Sequence, residues 1–307
     1  MSLRQGSGEL LATVATVNDL HFGETVCGLL DGFEVGPVLR FDPGTDPYPT
    51  VMNRAAVAEI AAIRPDAVVA KGDLTSAGTA PEFAEFESMY RSEFGERLVV
   101  TLGNHDKPAA SGGVPDVPAV QVLDVEGATL AVLDTARPGQ AGGALSDEQA
   151  EELDEVAARA DRPVLVFGHH PAGGEDIDRL FGPVAARANC LDAVSTDRLV
   201  SVAARRASIV GYFSGHTHRN KVRRFAPTGS FPWVEVACVK DFPGSWAEYR
   251  IYEARIEQIH HRITSDPEAM SWSERCRAMF GGRYPAYALG TDGDRCFEIP
   301  VCSPEWS

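Results

Sequence analysis

Five short apolar runs in this chain end in the same kind of chemistry, and that repetition restricts the fold more than any bulk property does. Leu10–Val17 delivers Asn18-Asp19-Leu20-His21, and Ala67–Ala70 delivers Lys71-Gly72-Asp73. Leu98–Thr101 runs into Leu102-Gly103-Asn104-His105-Asp106. Val164–Phe167 ends in Gly168-His169-His170-Pro171, and Ile209–Phe213 in Ser214-Gly215-His216-Thr217-His218. Runs this apolar suit strands covered on both faces. A single Asp or His after a strand is ordinary turn chemistry. The same ending on five strands implies a site, because parallel strands of an open α/β sheet bring their carboxyl ends to one edge.

The segments between these runs read as helices and loops. Pro49 to Ile63 places Met52, Ala55, Ala56, Ile60 and Ile63 on one helical face. Thr79-Ala80-Pro81-Glu82 and Ser146-Asp147-Glu148-Gln149 have the spacing of capping boxes and open helices to about Phe94 and Ala160. Helical patterns also cover Ile177 to Ala188, Thr196 to Ala207 with Thr196 as cap, and Trp272 to Phe280. Val120–Val125 and Thr129–Leu133 form a strand pair, and the runs 233–239, 246–252 and 255–263 follow without long helices between them. Residues 23–48, rich in Gly, Pro and Asp, read as a long loop leaving His21, placed to wall a pocket. In an extended strand end Asp19 and His21 would point the same way, since side chains alternate with period two.

Bulk properties set limits. The 307 residues are 44% hydrophobic and 23% charged, enough for a substantial core, with no apolar run of transmembrane length. Met1 to Gly8 lacks the apolar core of a signal peptide, so a cytoplasmic protein without a membrane span is expected. A net charge of -16 argues against a surface built to track duplex nucleic acid. The 6 cysteines contain no C-x-x-C pair and read as free thiols.

The strand ends supply Asp19, Asp73, the Asn104 oxygen, His21, His169, His216 and His218. That is too many donors for one ion and suits two if a carboxylate bridges. Imidazole and carboxylate without thiolate favours Mn, Fe or Zn over Ca or Mg.

The ordered set Asp-x-His, Gly-Asp, Gly-Asn-His-Asp, His-His-Pro and Gly-His-x-His resembles the calcineurin-like metallophosphoesterase superfamily. The resemblance covers Asp19 to His218. It implies one metal on Asp19, His21, Asp73 and His218, and another on Asp73, Asn104, His169 and His216. Asp73 would bridge, and a water or hydroxide between the ions would be the nucleophile. His105 would stabilise the phosphoryl oxygens or protonate the leaving group, with Asp106 orienting its ring. His170 would support a neighbour rather than ligate.

Departures narrow the class. Asp73 is followed by Leu74-Thr75-Ser76-Ala77-Gly78, not by the Val-Asp-Arg-Gly type sequence of the protein Ser/Thr phosphatases. Ser76 stands where purple acid phosphatases carry a metal-binding Tyr, which excludes a charge-transfer Fe(III) site. The chain is then most similar to bacterial class III phosphodiesterases, which act on cyclic nucleotides and glycerophosphodiesters. Arg219 and Lys107 are the candidate substrate contacts, with Lys221, Arg223 and Arg224 beyond them on a strand edge. His260 and His261 read as ordinary strand positions.

The expected architecture is a four-layer α-β-β-α sandwich of two mixed sheets, with a dinuclear metal site at the strand carboxyl ends. It would occupy residues 9–265, followed by an unassigned extension, 266–307. The expected activity is hydrolysis of a small phosphorylated substrate, a cyclic nucleotide, glycerophosphodiester or nucleotide pyrophosphate, using two divalent ions. The alternatives are a phosphomonoesterase, a nuclease or a non-catalytic metal-binding scaffold.

Overall fold

The computed structural model describes residues 8–30, 32–110, 112–173, 189–224 and 226–301. In one sheet β1 (Leu10–Val17), β4 (Ala67–Lys71) and β5 (Leu98–Thr101) run parallel. β12 (Ser245–Tyr252), β13 (Arg255–Arg262) and β14 (Phe297–Pro300) extend it antiparallel from β1. In the other sheet β7 (Ala128–Leu133), β8 (Val164–Phe167), β9 (Ile209–Ser214) and β11 (Trp233–Glu235) run parallel. Antiparallel β6 (Val120–Val125) and β10 (Lys221–Arg223) are its edges.

Strand alternation builds the layers. Val14 of β1 packs with Leu130, Phe167 and Phe213 between the sheets. Its neighbours Ala15 and Val17 face the other way, onto Met52, Ala56 and Ile60 of the helix Tyr48–Ile63. On the far side Leu133, Val164 and Val166 meet Leu153 of the helix Asp147–Arg159 and Leu199 of the helix Ala193–Arg205. The result is the four-layer sandwich, with both faces of each central strand buried. No helix among the described residues is long and apolar enough to cross a membrane.

Several elements differ from their sequence reading. The 23–48 segment contains a hairpin, β2 (Val26–Leu30) and β3 (Phe33–Arg40), rather than an irregular loop. Asp31-Gly32 between apolar residues is a hairpin signal that the surrounding Gly and Pro content masks. The cap of the helix Ala193–Arg205 is Asp192, whose Oδ1 accepts from Ser195 N at 2.8 Å. Thr196 is instead buried, accepting from Gly173 N at 2.9 Å. The helix expected at 272–280 spans Pro267–Cys276, because Asp266 caps it and Pro267 opens it, while Phe280 turns to positive φ. The run 233–239 is strand only to Glu235; beyond it Val239 N donates to Asn18 O at 3.2 Å, tying this turn to the end of β1. The helical pattern at 177–188 lies outside the described residues.

Residues 266–301 join existing layers. Trp272 stacks on Tyr48 with centroids 4.3 Å apart, and β14 pairs with β13. Five cysteines in the described residues are free thiols.

Beside the carboxyl end of β9, buried Glu235 accepts from Arg219 Nε at 2.8 Å and lies 3.3 Å from Arg223 Nε. Burial opposes its ionisation, but the two guanidiniums outweigh this and pull its pKa down to about 2. Glu235→Gln should therefore lower stability by about 3–5 kcal/mol at neutral pH, because two buried cations lose their partner. The native carboxylate's contribution is complete above the ordinary Glu range and is lost as pH falls toward about 2. The gap between variant and native protein in urea unfolding should narrow on acidification; a pH-independent gap would contradict the assignment.

Candidate metal centre

The carboxyl ends of β1, β4, β5, β8 and β9 meet at one place. Asp19 N donates to Gly72 O at 3.0 Å, and Leu20 N and His21 N both donate to Asp73 O, at 2.8 and 2.9 Å. Gly215 N donates to His169 O at 2.9 Å, and His216 N to Asp19 Oδ2 at 3.0 Å. The two sheets are thus stitched together through the residues singled out in the sequence.

Asp19 and His21 do not reach the site by strand alternation. β1 ends at Val17, and both residues have left-handed backbone, with φ of 54° and 49°. Asp73 (49°), His216 (68°) and His218 (53°) share it. Such conformations cost free energy for residues other than Gly, and their concentration here marks strain held by the surrounding fold. Each turn swings its side chain off the strand axis into the common space.

All seven candidate donors converge. His218 Nε2 lies 3.5 Å from Asp19 Oδ1, and His21 Nε2 lies 3.6 Å from Asp73 Oδ2. His169 Nε2 lies 3.4 Å from Asp73 Oδ2, 3.3 Å from Asn104 Oδ1 and 3.1 Å from His216 Nδ1. The groups Asp19–His21–His218 and Asp19–Asp73–His169 each bring their ligand atoms within 4.8 Å of one another.

Hydrogen bonds fix several rings. His169 Nδ1 donates to Lys71 O at 2.7 Å, which leaves the Nε2 lone pair facing the other donors. His170 Nε2 donates to Ala141 O at 3.1 Å and Nδ1 accepts from Thr135 Oγ1 at 2.9 Å. Both its nitrogens are occupied, so it supports the site without a lone pair to offer. His105 is exposed, its ring 4.6 Å from that of His21, and its Nδ1 donates to Ser76 O at 2.7 Å.

Electrostatics keeps the two carboxylates and His216 in ligand form, whereas His169 would give up a proton to a metal. Burial alone would raise the Asp19 and Asp73 pKa values, but His218 beside Asp19 and His169 beside Asp73 hold both carboxyls below their ordinary range. Burial and the neighbouring His169 press His216 down to about 3. His169 moves up to about 9, because Asp73 overcomes its burial. Asp19 Oδ1 and both ring nitrogens of His21 are buried without a hydrogen-bond partner. Orphaned acceptors aimed into a nest of N and O donors fit divalent cations.

Three expected roles change. Asp106 does not hold the His105 ring. Its carboxylate accepts from Gly103 N (2.8 Å), Leu74 N (3.1 Å), Thr75 N (2.8 Å) and Thr75 Oγ1 (2.6 Å), so it points back into the fold. Burial and the Asp73 charge raise its pKa to about 6 despite those donors. Arg219 is spent on Glu235 and lies over the Tyr287 ring at 5.4 Å, and Lys107 Nζ donates to Asp134 at 2.7 Å. Both cations are thus paired with carboxylates.

Sequence reading missed Lys71, Glu24, Lys240 and Asp241. Lys71 is fully buried and donates to Ser214 O at 2.8 Å, joining β4 to the end of β9. Burial lowers its pKa to about 7. Its signal was a charge closing an apolar run. Glu24 stands three residues after His21, which was a faint signal; Lys240 and Asp241 offered none.

A family model for calcineurin-like phosphoesterases matches residues 12–220. The chain belongs to the calcineurin-like phosphoesterase family. It is 32% identical over 181 residues to a protein of Rhodopseudomonas palustris named "probable cyclic nucleotide phosphodiesterase", covering 54% of this chain and 62% of the relative. It is 30% identical over 118 residues to one of the same name from Rhodococcus erythropolis, covering 35% and 39%. It is 28% identical over 170 residues to a glycerophosphodiester phosphodiesterase of Enterobacter lignolyticus, covering 50% and 56%. Each relative is therefore matched over less than two thirds of its length. The fold is similar to a dimetal phosphatase from Danio rerio, with a TM-score of 0.64 at 15% identity, covering 83% of this chain and 98% of that one. Family membership implies divalent metal ions.

If Asp106 braces the turn, Asp106→Ala should lower stability by roughly 3 kcal/mol, since several buried donors lose their acceptor. An unchanged urea midpoint would show that those donors do not need the carboxylate.

Proposed function

We propose that the chain is a dinuclear metal-dependent phosphodiesterase. What carries the reading is the convergence of Asp19, His21, Asp73, Asn104, His169, His216 and His218 from five strand ends, with buried acceptors left unpaired. Asp19, His21, Asp73 and His218 would hold one ion, and Asp73, Asn104, His169 and His216 the other. Two divalent ions, when bound, lower the pKa of water and stabilise charge on phosphoryl oxygens. Mn, Fe and Zn suit this donor set.

The protein's own groups do the rest. Asp73 would take the bridging place, a reading supported by Oδ2 facing His21 and His169 together. Asn104 adds an oxygen without another negative charge, which favours an anionic substrate. His105, exposed at the rim with Nδ1 held by the Ser76 carbonyl, can exchange a proton at Nε2 with a leaving group.

Substrate charge favours a diester. A monoester dianion carries one more negative charge than a diester, and Arg219 and Lys107, the candidate cations, are both paired with carboxylates. A diester with one charge asks less of such partners. The relatives named for cyclic nucleotide and glycerophosphodiester hydrolysis agree with this choice. The chain's charge of -16 disfavours a nuclease.

Protein loaded with Mn, Fe or Zn should carry two ions and cleave an aryl phosphodiester with higher kcat/KM than its monoester; chelation should abolish turnover. Monoester preference would overturn the substrate class, and full activity in chelator the metal dependence. His105→Ala should keep both ions but lower turnover roughly 10² to 10⁴-fold toward a poor leaving group. An unchanged rate would remove His105 from proton transfer.

A further inference from the structure

Two of the candidate ligand histidines are backed by carboxylates, and both carboxylates converge on one lysine. His21 turns Nε2 toward Asp73 and Nδ1 toward Glu24 Oε2, 3.2 Å away though off the direction a hydrogen bond needs. His218 turns Nε2 toward Asp19 and Nδ1 toward Asp241 Oδ2, at 3.9 Å. Lys240 Nζ donates to both Glu24 oxygens at 2.8 Å and lies 3.5 Å from Asp241 Oδ2.

Each member is held from outside. Tyr48 Oη donates to Glu24. Cys238 Sγ at 3.0 Å and Tyr284 Oη at 2.9 Å donate to Asp241 Oδ1, which leaves Oδ2 for His218 and Lys240. The lysine is fixed by its own backbone, since Lys240 N donates to Asp19 O at 3.3 Å. Cys238, close to His218 and Asp241, donates its thiol hydrogen bond to Asp241 Oδ1, and burial pushes its pKa up.

The other half of the site is built differently. His169 Nδ1 meets the neutral carbonyl of Lys71. Among the described residues, carboxylates stand behind the Nδ1 atoms of His21 and His218, the two histidines expected on the same ion. A carboxylate behind a ligating imidazole fixes its orientation and raises its basicity, and losing one typically weakens metal binding 10 to 100-fold. Two such carboxylates side by side would repel one another, and the ammonium between them offsets that repulsion.

We propose that Glu24, Lys240 and Asp241 form one positioning network that orients His21 and His218 for a single ion of the pair, with Lys240 as its hub. This rests on the dinuclear reading of the site. The residues are positioning residues, not ligands, and their loss acts on one ion selectively.

The test is a Co(II) titration of the chelator-stripped full chain, followed by visible absorption and calorimetry, with the melting temperature of the metal-free protein measured alongside. Native protein should show two binding events. Glu24→Gln and Asp241→Asn, which keep shape, should each weaken the same event about 10 to 100-fold and leave the other within about twofold. Lys240→Met should weaken that event too, and Lys240→Arg should restore most of it. Two events at native affinity in both Glu24→Gln and Asp241→Asn would overturn the network. So would equal weakening of both events with a lowered metal-free melting temperature, which would make the cluster a structural ion pair. Native protein that binds fewer than two ions would instead sink the dinuclear reading itself.

Discussion

The carboxylate of Asp73 is the point on which the site depends. Its backbone carbonyl receives Leu20 N and His21 N, its Oδ1 receives His105 N at 2.9 Å, and its Oδ2 faces His21 and His169. One residue thereby joins the ends of β1, β4 and β5 in one sheet to the end of β8 in the other. Burying a carboxylate costs several kcal/mol unless it is compensated. Here the compensation comes from imidazoles that are themselves candidate ligands, so fold and metal chemistry share the same groups.

That sharing accounts for the strain. Five of the converging residues have left-handed backbone although none is Gly. The sandwich holds them because the strands behind them are buried on both faces, with Val14, Val69, Phe167 and Phe213 in the layer between the sheets. A frame this apolar can fix turns that an isolated peptide would avoid.

The strand ends were legible in the sequence because apolar runs of strand length, each closed by Asp, Asn or His, leave few alternatives. The fold followed from the same runs. Less legible was direction. Adjacent residues in a turn can point apart, which is why Asp106 braces Gly103, Leu74 and Thr75 while His105 leans on the Ser76 carbonyl. Long-range partners were hidden altogether: Glu24 and Lys240 lie 216 positions apart, and nothing local announces their contact. The hairpin β2–β3 was missed because its Gly and Pro content resembles that of a loop, and the cap expected at Thr196 is held one turn earlier by Asp192.

The most direct measurement of the central claim is electron paramagnetic resonance on the full chain loaded with Mn(II). A carboxylate shared by two ions couples their spins, so native protein should give the spectrum of an exchange-coupled pair. Asp73→Asn should give at most isolated Mn(II). Isolated ions alone in fully loaded native protein would contradict a centre bridged by Asp73.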